Sequence, residues 1–575
     1  MREDDSNQEP VNIFGDSDDD TGANPHAQEG PSSSGTQHYL PHFSTLNLEA
    51  LGEHPAGVAA VGGSSTEFQI GQSFQSKDEA VLSVKDYSIR RGVEYRVLES
   101  DHLKYHGKCK GFGKSCSWLI RISLRARKGT WEYRSRCCNK QLKLIFCFKP
   151  SYRKVWKAKQ KAVAQIYGDW EESYAELPRW MLGVELTMPG TVTVLQTSPV
   201  RVVDQIDEST VYFRRLFWTF PPCVEAFQHC KPLVSIDGTH LYGKYGSTLL
   251  LAIAQDGNSN ILLIAFALVE GENAESWSFF LSNLRTHVTP QEGILVISDR
   301  HNGIKSALEN PVNGWLPPRA YRAYCIRHVA ANLSLSFKGK DAGRMLVNAA
   351  YAKTEAEFYY WFDIMRTENP AMCDWANRME YEKWTQHQDS GRWFGHMTTN
   401  ISECVNSVLK ETRNLSVTSL VKSTYGRLAG LFVLRGQTAE AQVGSGQEFC
   451  QALVKAIERN IRESKCFTVT LYDRHQSEYT VAETTPTGNF SLGSYRVSLK
   501  DHTCDCGYFQ ALHYPCCHAI ACCAHSRLNW AAYVHEVYRM SEVFKVYSHG
   551  FVPPILEGLW PPYAGPTVIP DPNMR

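Results

Sequence analysis

The segment CDCGYFQALHYPCCH, residues 504–518, packs four cysteines and two histidines into fifteen positions. Thiolate and imidazole donors suit Zn²⁺, which takes four such ligands tetrahedrally in structural sites. Cys504-x-Cys506 and Cys516-x-His518 are two short chelating pairs, joined by the nine residues from Gly507 to Pro515. Four protein ligands fill the shell and leave no position open for substrate, so the segment reads as a structural zinc site. Cys517, Cys522 and Cys523 fall outside the pattern and read as buried thiols. A redox role would call for C-x-x-C with a low-pKa thiol, and the spacing here is C-x-C.

A second chemistry is carried by carboxylates. Asp237 in VSIDGTH and Asp299 in VISDRHNG each close an apolar run, and Glu403 lies in TTNISECVN. Read singly, Asp-Gly after a strand is a turn and Asp before a helix is a cap. Asn400 with Glu403 three positions on also fits a capping box. Together, three carboxylates could hold hard divalent cations such as Mg²⁺ or Mn²⁺, which want oxygen ligands. Two such ions can activate a water or a 3′-hydroxyl and stabilise the leaving oxygen of a phosphodiester.

The elements that must position these groups are legible in the apolar pattern. PLVSID reads as a strand, and TLLLAIAQ with ILLIAFALVEG reads as a hairpin around Asp256–Asn260. ENAESWSFFLSNLRTHV is an amphipathic helix whose Trp277 belongs to the core, and GILVISD is another buried strand. HNGIKSALENP is a short helix, AYRAYCIRH a last strand, and Val329–Leu333 begins a further helix. This order predicts a mixed α/β sheet with helices on its faces. Residues 340–395 read as helical and aromatic, and a helix is expected from about Ile401. In 151–183 a second helix is expected to end before Pro178. Residues 466–503 alternate as strands into the cysteine cluster, and the tail PPILEGLWPPYAGPTVIPDP reads as extended.

The chain has 575 residues, 43% hydrophobic, so several domains with real cores are expected. No apolar run of about 18 residues occurs, which argues against a membrane span. The opening MREDDSNQEP is acidic without an apolar core, so no secretory signal is expected. The 18 cysteines then sit in a reducing compartment, where disulfides are disfavoured. Residues 1–66 are polar and aperiodic, carrying nine acidic side chains in the first 30, and read as a disordered tail. Residues 85–161 carry 22 Lys/Arg against five Asp/Glu, interleaved with Tyr95, Tyr105, Trp118, Trp131, Tyr133 and Trp156. That pattern fits a nucleic-acid partner.

Several of these segments resemble plant Mutator-like element (MuDR family) transposases, in the family's order. They are QKAVAQIYGDWEESYAELPRW, DGTHLYGKYGS through WSFFL, ISDRHNG, CIRHVAANL, TTNISECVN, the CDC…CCH cluster and WPPYAGPTVIPDP. The resemblance covers roughly residues 67–575 and implies an α/β, RNase H-like catalytic domain at 229–430, with a helical insertion about 340–395. Flanking it would be a WRKY/GCM-like DNA-binding region at 67–150, a helical linker at 151–228, a SWIM-type zinc finger at 431–530 and a Pro-rich tail at 531–575. Asp237, Asp299 and Glu403 carry over as the acidic triad, and Cys325 with His328 as the family's C-x-x-H element, a candidate contact to DNA. The activity implied is DDE-type transposition in the nucleus, with double-stranded DNA of terminal inverted repeats as the DNA bound and a homo-oligomer as an assembly open to it.

Cys109-x6-Cys116-x-Trp118 resembles the first half of the family's N-terminal finger and offers a second zinc site. The His-x-Cys second half is missing, since no histidine falls between His106 and His229, and Cys137-Cys138 stand in its place. Two other classes remain open at the level of sequence. One is a domesticated, catalytically silent DNA-binding regulator of transcription; the other is a zinc-dependent interaction module with the sheet as scaffold.

Overall fold

The computed structural model describes residues 73–74, 76–90, 95–109, 119–125, 130–133, 169–202, 205–242, 244–337, 341–399, 409, 412–473, 477–485 and 492–572. The acidic tail 1–66, the expected helix from Ile401 with Glu403, Cys116, Cys137 and Cys138, and the side chain of Cys109 lie outside these residues. The described residues fall into two compact units, 73–133 and 169–572.

In the smaller unit, strand β1 (Ser73–Phe74) and helix α1 (Lys77–Arg90) precede β2 (Tyr95–Ser100), β3 (Lys104–Cys109), β4 (Leu119–Arg125) and β5 (Thr130–Tyr133). The sheet runs β1-β5-β4-β3-β2. Ala80 and Val84, one turn apart on α1, bury against Tyr105, Ile120, Ile122 and Trp131. The helical and alternating periods of the sequence give these two layers.

The larger unit opens with α2 (Trp170–Thr187). Pro178 does not end this helix, as its sequence suggested, but sits inside it. The ring removes one backbone bond, to the Tyr174 carbonyl. Burial of Tyr174, Leu177 and Trp180 carries the helix across that gap. A long hairpin follows, β6 (Val192–Val202) and β7 (Gln205–Thr219), then α3 (Pro221–Gln228).

Strand β8 (Leu233–His240), the hairpin β9 (Thr248–Gln255) and β10 (Ile261–Val269), helix α4 (Ala274–His287), β11 (Ile294–Ser298), α5 (Asn302–Glu309), β12 (Ala320–Tyr324) and α6 (Ile326–Ser336) follow. This is the expected order. The sheet runs β12-β11-β8-β9-β10-β7, with β6 paired to β7 and β17 (Thr567–Ile569) from the tail added parallel to β7. β8, β11 and β12 are parallel; β9, β10 and β7 are antiparallel. Every residue of β9 and β11 is buried, as covering both faces of a sheet requires. Trp277 on α4 is fully buried, as are Phe217, Trp218, Phe266 and Phe280. Each such side chain contributes roughly 1.5–3 kcal/mol.

Helices α7 (Ala342–Tyr351), α8 (Glu355–Glu368) and α9 (Pro370–Ala376) come next, then the long α10 (Val417–Gly444) and α11 (Gln451–Ser464). The last layer is the sheet β13 (Phe467–Asp473), β14 (Glu478–Glu483), β15 (Ser494–Ser498) and β16 (Thr503–Cys504). Short α12 (Tyr508–Leu512), α13 (Cys517–Ser526) and α14 (Met540–Ser548) complete it. Among the described residues no helix is long and apolar enough to cross a membrane.

Candidate functional site

The acidic centre is built by strand register. Leu295, Val296 and Ile297 of β11 pair with Leu233, Val234 and Ser235 of β8. Carried two residues on, the same register sets Asp299 beside Asp237. On the other side Ser298 pairs with Tyr324 of β12, which sets Asp299 beside Cys325. The Cys325 amide continues that ladder, donating to the Ser298 carbonyl at 2.7 Å. Neighbouring strands lie about 4.8 Å apart, and residues at one level point to one face. Asp237, Asp299 and Cys325 therefore stand at one level: Asp299 and Cys325 just past the ends of β11 and β12, and Asp237 not at a strand end, as the sequence suggested, but inside β8, which runs on to His240 against β9.

Asp237 is half-buried. Its Oδ1 accepts from the Gly238 amide at 2.9 Å and its Oδ2 from the Thr399 hydroxyl at 3.2 Å. Burial raises its pKa and the Asp299 charge adds to that, while His328 and the two hydrogen bonds oppose. Asp299 accepts from the His301 amide at 3.0 Å, the local turn that starts α5.

Sequence reading missed Glu272. It lies in the loop between β10 and α4, and its carboxylate covers Gly238, where a Cβ would come within 2.6 Å of Oε1. Burial first, then the charges of Asp237 and Asp299, push its pKa up to about 7. No apolar period marks this loop residue, and only its contact with Gly238 brings it to the centre.

The C-x-x-H element also comes to this centre, though not as an open surface. Cys325 is fully buried. Its Sγ receives the Thr399 amide at 3.2 Å. Burial would push the His328 imidazole down, but the adjoining Cys325 thiol and the charges of Asp237 and Asp299 raise it to about 9. A cationic His328 offsets the carboxylates around it, and its Nδ1 is buried without a hydrogen-bond partner.

The cysteine cluster is a separate centre. One donor atom from each of Cys504, Cys506, Cys516 and His518 lies within 4.8 Å of the other three. Among the described residues no other group of three or more His, Cys, Asp or Glu donors is drawn together in this way. His518 Nδ1 is 3.6 Å from Cys504 Sγ and 3.8 Å from Cys516 Sγ. Those are the edges of a tetrahedron with metal bonds of about 2.0–2.3 Å, so the donor set fits Zn²⁺. Tyr495 stacks on the His518 ring at 3.9 Å and Phe467 meets its edge at 4.4 Å, fixing Nδ1 toward the thiols. Burial opposes ionisation of the thiols, yet contact with Cys504 and Cys516 pulls Cys506 well below the usual thiol range. Cys522 and Cys523 are buried outside the set, as expected for packing thiols.

The finger is seated by its own connection. Gly507 adopts φ +74°, and a Cβ there would overlap the Lys353 carbonyl between α7 and α8. Lys353 Nζ lies 4.3 Å from the Tyr508 ring centroid. Asn460 of α11 donates to the Pro515 carbonyl at 2.9 Å.

Comparison with protein families matches three segments in chain order. Residues 65–132 match the MuDR family transposase, 233–332 the MULE transposase domain and 495–525 the SWIM zinc finger. The second match spans Asp237, Glu272, Asp299, Cys325 and His328, and the third spans all four zinc donors. Comparison with curated proteins gives no match.

Proposed function

From the premise that the chain carries the DNA-binding, transposase and zinc-finger segments of a Mutator-like transposase, we propose that it is a DDE-type enzyme. It cleaves and joins DNA at element ends, acting in the nucleus on terminal inverted repeats as a homo-oligomer. The observation that carries this reading is the parallel register of β8 with β11, which sets Asp237, inside β8, level with Asp299, just past the end of β11. An RNase H-like fold is the reading of that sheet, and Glu403, outside the described residues, is the proposed third acid. A WRKY/GCM-like fold is the matching proposal for the N-terminal region.

Asp237 and Asp299 would hold Mg²⁺ or Mn²⁺, since their donors are hard oxygens in a half-buried, like-charged setting. The bound ions supply activation of a nucleophilic oxygen and stabilisation of the leaving one. The chain's own residues fix the acids. Thr399 and the Gly238 amide orient the Asp237 carboxylate, and the His301 amide orients Asp299. His328 and Glu272 set the local charge, one cationic and one titrating near neutrality. The zinc site holds fold and takes no part in the chemistry, because its four donors come from the protein.

The test is a nicking and strand-transfer assay on terminal inverted-repeat DNA with Mg²⁺ or Mn²⁺. Cutting by the parent and none by Asp237→Asn is the expected result; equal cutting by both would sink the assignment.

A further inference from the structure

The finger and the acidic centre are joined by one stretch of chain, residues 389–399. At its start the backbone is tightly turned: Gly391, Phe394 and Gly395 have φ of +84°, +48° and +73°. The Asp389 carboxylate closes the turn, accepting from the amides of Arg392 at 2.9 Å and Trp393 at 3.0 Å. The surface it fits is the connection between the two chelating pairs. His513 Nε2 donates to the Gly391 carbonyl, and the His513 ring stacks on Phe394 at 4.1 Å. A Cβ on Gly395 would come within 2.6 Å of Leu512 Cδ2. His513 is itself held, its carbonyl accepting from the His535 amide at 3.0 Å.

At its end the same stretch enters the acidic centre. The Met397 carbonyl accepts from the Ile326 amide at 2.9 Å, and the Thr398 carbonyl from Ser235 Oγ at 3.4 Å. Thr399 is fully buried and bonds Asp237 and Cys325 together. Four residues later comes Glu403.

We infer that His513 is a positioning residue for the acidic centre: the zinc-held connection clamps residues 391–395 and so sets where 397–399 present Thr399 to Asp237. The zinc finger is then part of the catalytic core and not a separate binding module. A non-glycine residue at positive φ is strained and persists only where its surroundings hold it. Phe394 is such a residue, and the His513 ring is what it packs on. This inference rests on the proposed reaction only for its kinetic arm.

The experiment is hydrogen–deuterium exchange on the full chain, parent against His513→Ala and His513→Gln, with zinc content measured alongside. Expected for His513→Ala is unchanged zinc and unchanged exchange in 494–526, but at least about ten-fold faster exchange across 391–399. Glutamine, which keeps an N–H donor, should recover part of the protection. In the kinetic arm kcat for cleavage falls about ten-fold with KM for DNA held. Stripping zinc with a chelator should speed exchange in both 494–526 and 391–399. If either treatment leaves 391–399 as protected as in the parent, the inference is overturned. If exchange shifts as expected but no form of the protein cuts DNA, the clamp stands and the reading of the reaction falls.

Discussion

Asp237 and Asp299 stand at one level on neighbouring parallel strands, 62 residues apart in the chain, because Leu233 to Ser235 pair with Leu295 to Ile297. Two carboxylates in that relation repel each other in the absence of a cation, and burial sharpens the repulsion at Asp237. Asp237→Asn and Asp299→Asn should each lower metal-dependent cleavage by on the order of a hundred- to a thousand-fold. DNA affinity in magnesium-free buffer should stay at the parent's value. Single-turnover cleavage and a binding titration check both parts.

Glu272 gives a pH signature. Its ordinary value is 4.5 and its folded value is raised to about 7. The folded state therefore binds this proton more tightly than the unfolded one. Stability from this group is full below about pH 4.5 and is lost as pH rises through about 7. Glu272→Gln should flatten the melting temperature of the metal-free protein between pH 5 and pH 8. It should gain on the order of 1 kcal/mol at pH 8, a figure reduced for the group's partial exposure. Mg²⁺ should flatten the parent's curve in the same way. Parallel curves for parent and variant would show that Glu272 does not feel the two aspartates.

The contrast between Asp299 and Glu272 shows what the sequence made legible. Asp299 ends a run of five buried residues, and continuous apolar strands announce themselves in an α/β sheet. The hairpin of β9 and β10, the core position of Trp277 and the four zinc donors were legible for similar reasons, through period, residue type or spacing. Glu272 carries no period, being a loop residue brought in by the close approach at Gly238. The hairpin of β6 and β7 was hidden because its strands are largely half-exposed and polar over much of their length. Pro178 misled because a local rule was overridden by the burial of Tyr174 and Trp180. Register decides which acids meet, and register is a long-range property.

The zinc set separates two neighbours, along the line the C-x-C and C-x-H spacing drew. Cys516 and Cys517 are adjacent, but Cys516 belongs to the four-donor cluster and caps α13, where the Ala519 amide points at its Sγ from 3.5 Å. Cys516→Ser should lose one equivalent of zinc and destabilise residues 494–526 by several kcal/mol. Cys517→Ser should keep the parent's zinc content and melt within about 1 kcal/mol of it. Metal analysis with thermal melting reads both. Zinc loss in the Cys517 variant would mean the donor set is misassigned.

Gly507 tests the seating of the finger. Its φ of +74° already disfavours a side chain, and an added Cβ would overlap the Lys353 carbonyl. Gly507→Ala should cost about 2–4 kcal/mol, the sum of left-handed backbone strain and an overlap with main chain that cannot swing away. The four donors are untouched by the change, so zinc content should hold. Gly446 offers the control, with φ +79° and open space around it. Gly446→Ala should cost only the backbone part, about 1 kcal/mol. Equal losses at the two sites would mean the finger is not seated on Lys353.

Thr399 carries the last prediction. One hydroxyl, fully buried, lies 3.2 Å from Asp237 Oδ2 and 3.6 Å from Cys325 Sγ. Valine matches threonine in shape but lacks the hydroxyl, so Thr399→Val takes the donor from Asp237 Oδ2 and leaves only the Gly238 amide on Oδ1. A hydrogen bond to a charged group is worth about 1.5–3 kcal/mol, and its loss should appear where the carboxylate must be held in one orientation. Cleavage should fall by roughly ten- to a hundred-fold. Asp237 should also take up a proton more readily, since the Thr399 bond lowers its pKa against the raising effect of burial. The acidic limb of the pH–rate profile should therefore move to higher pH. Thr399→Ser keeps the hydroxyl and should restore both rate and profile. A serine variant as impaired as valine would place the effect in packing of the methyl group and remove Thr399 from the alignment of Asp237.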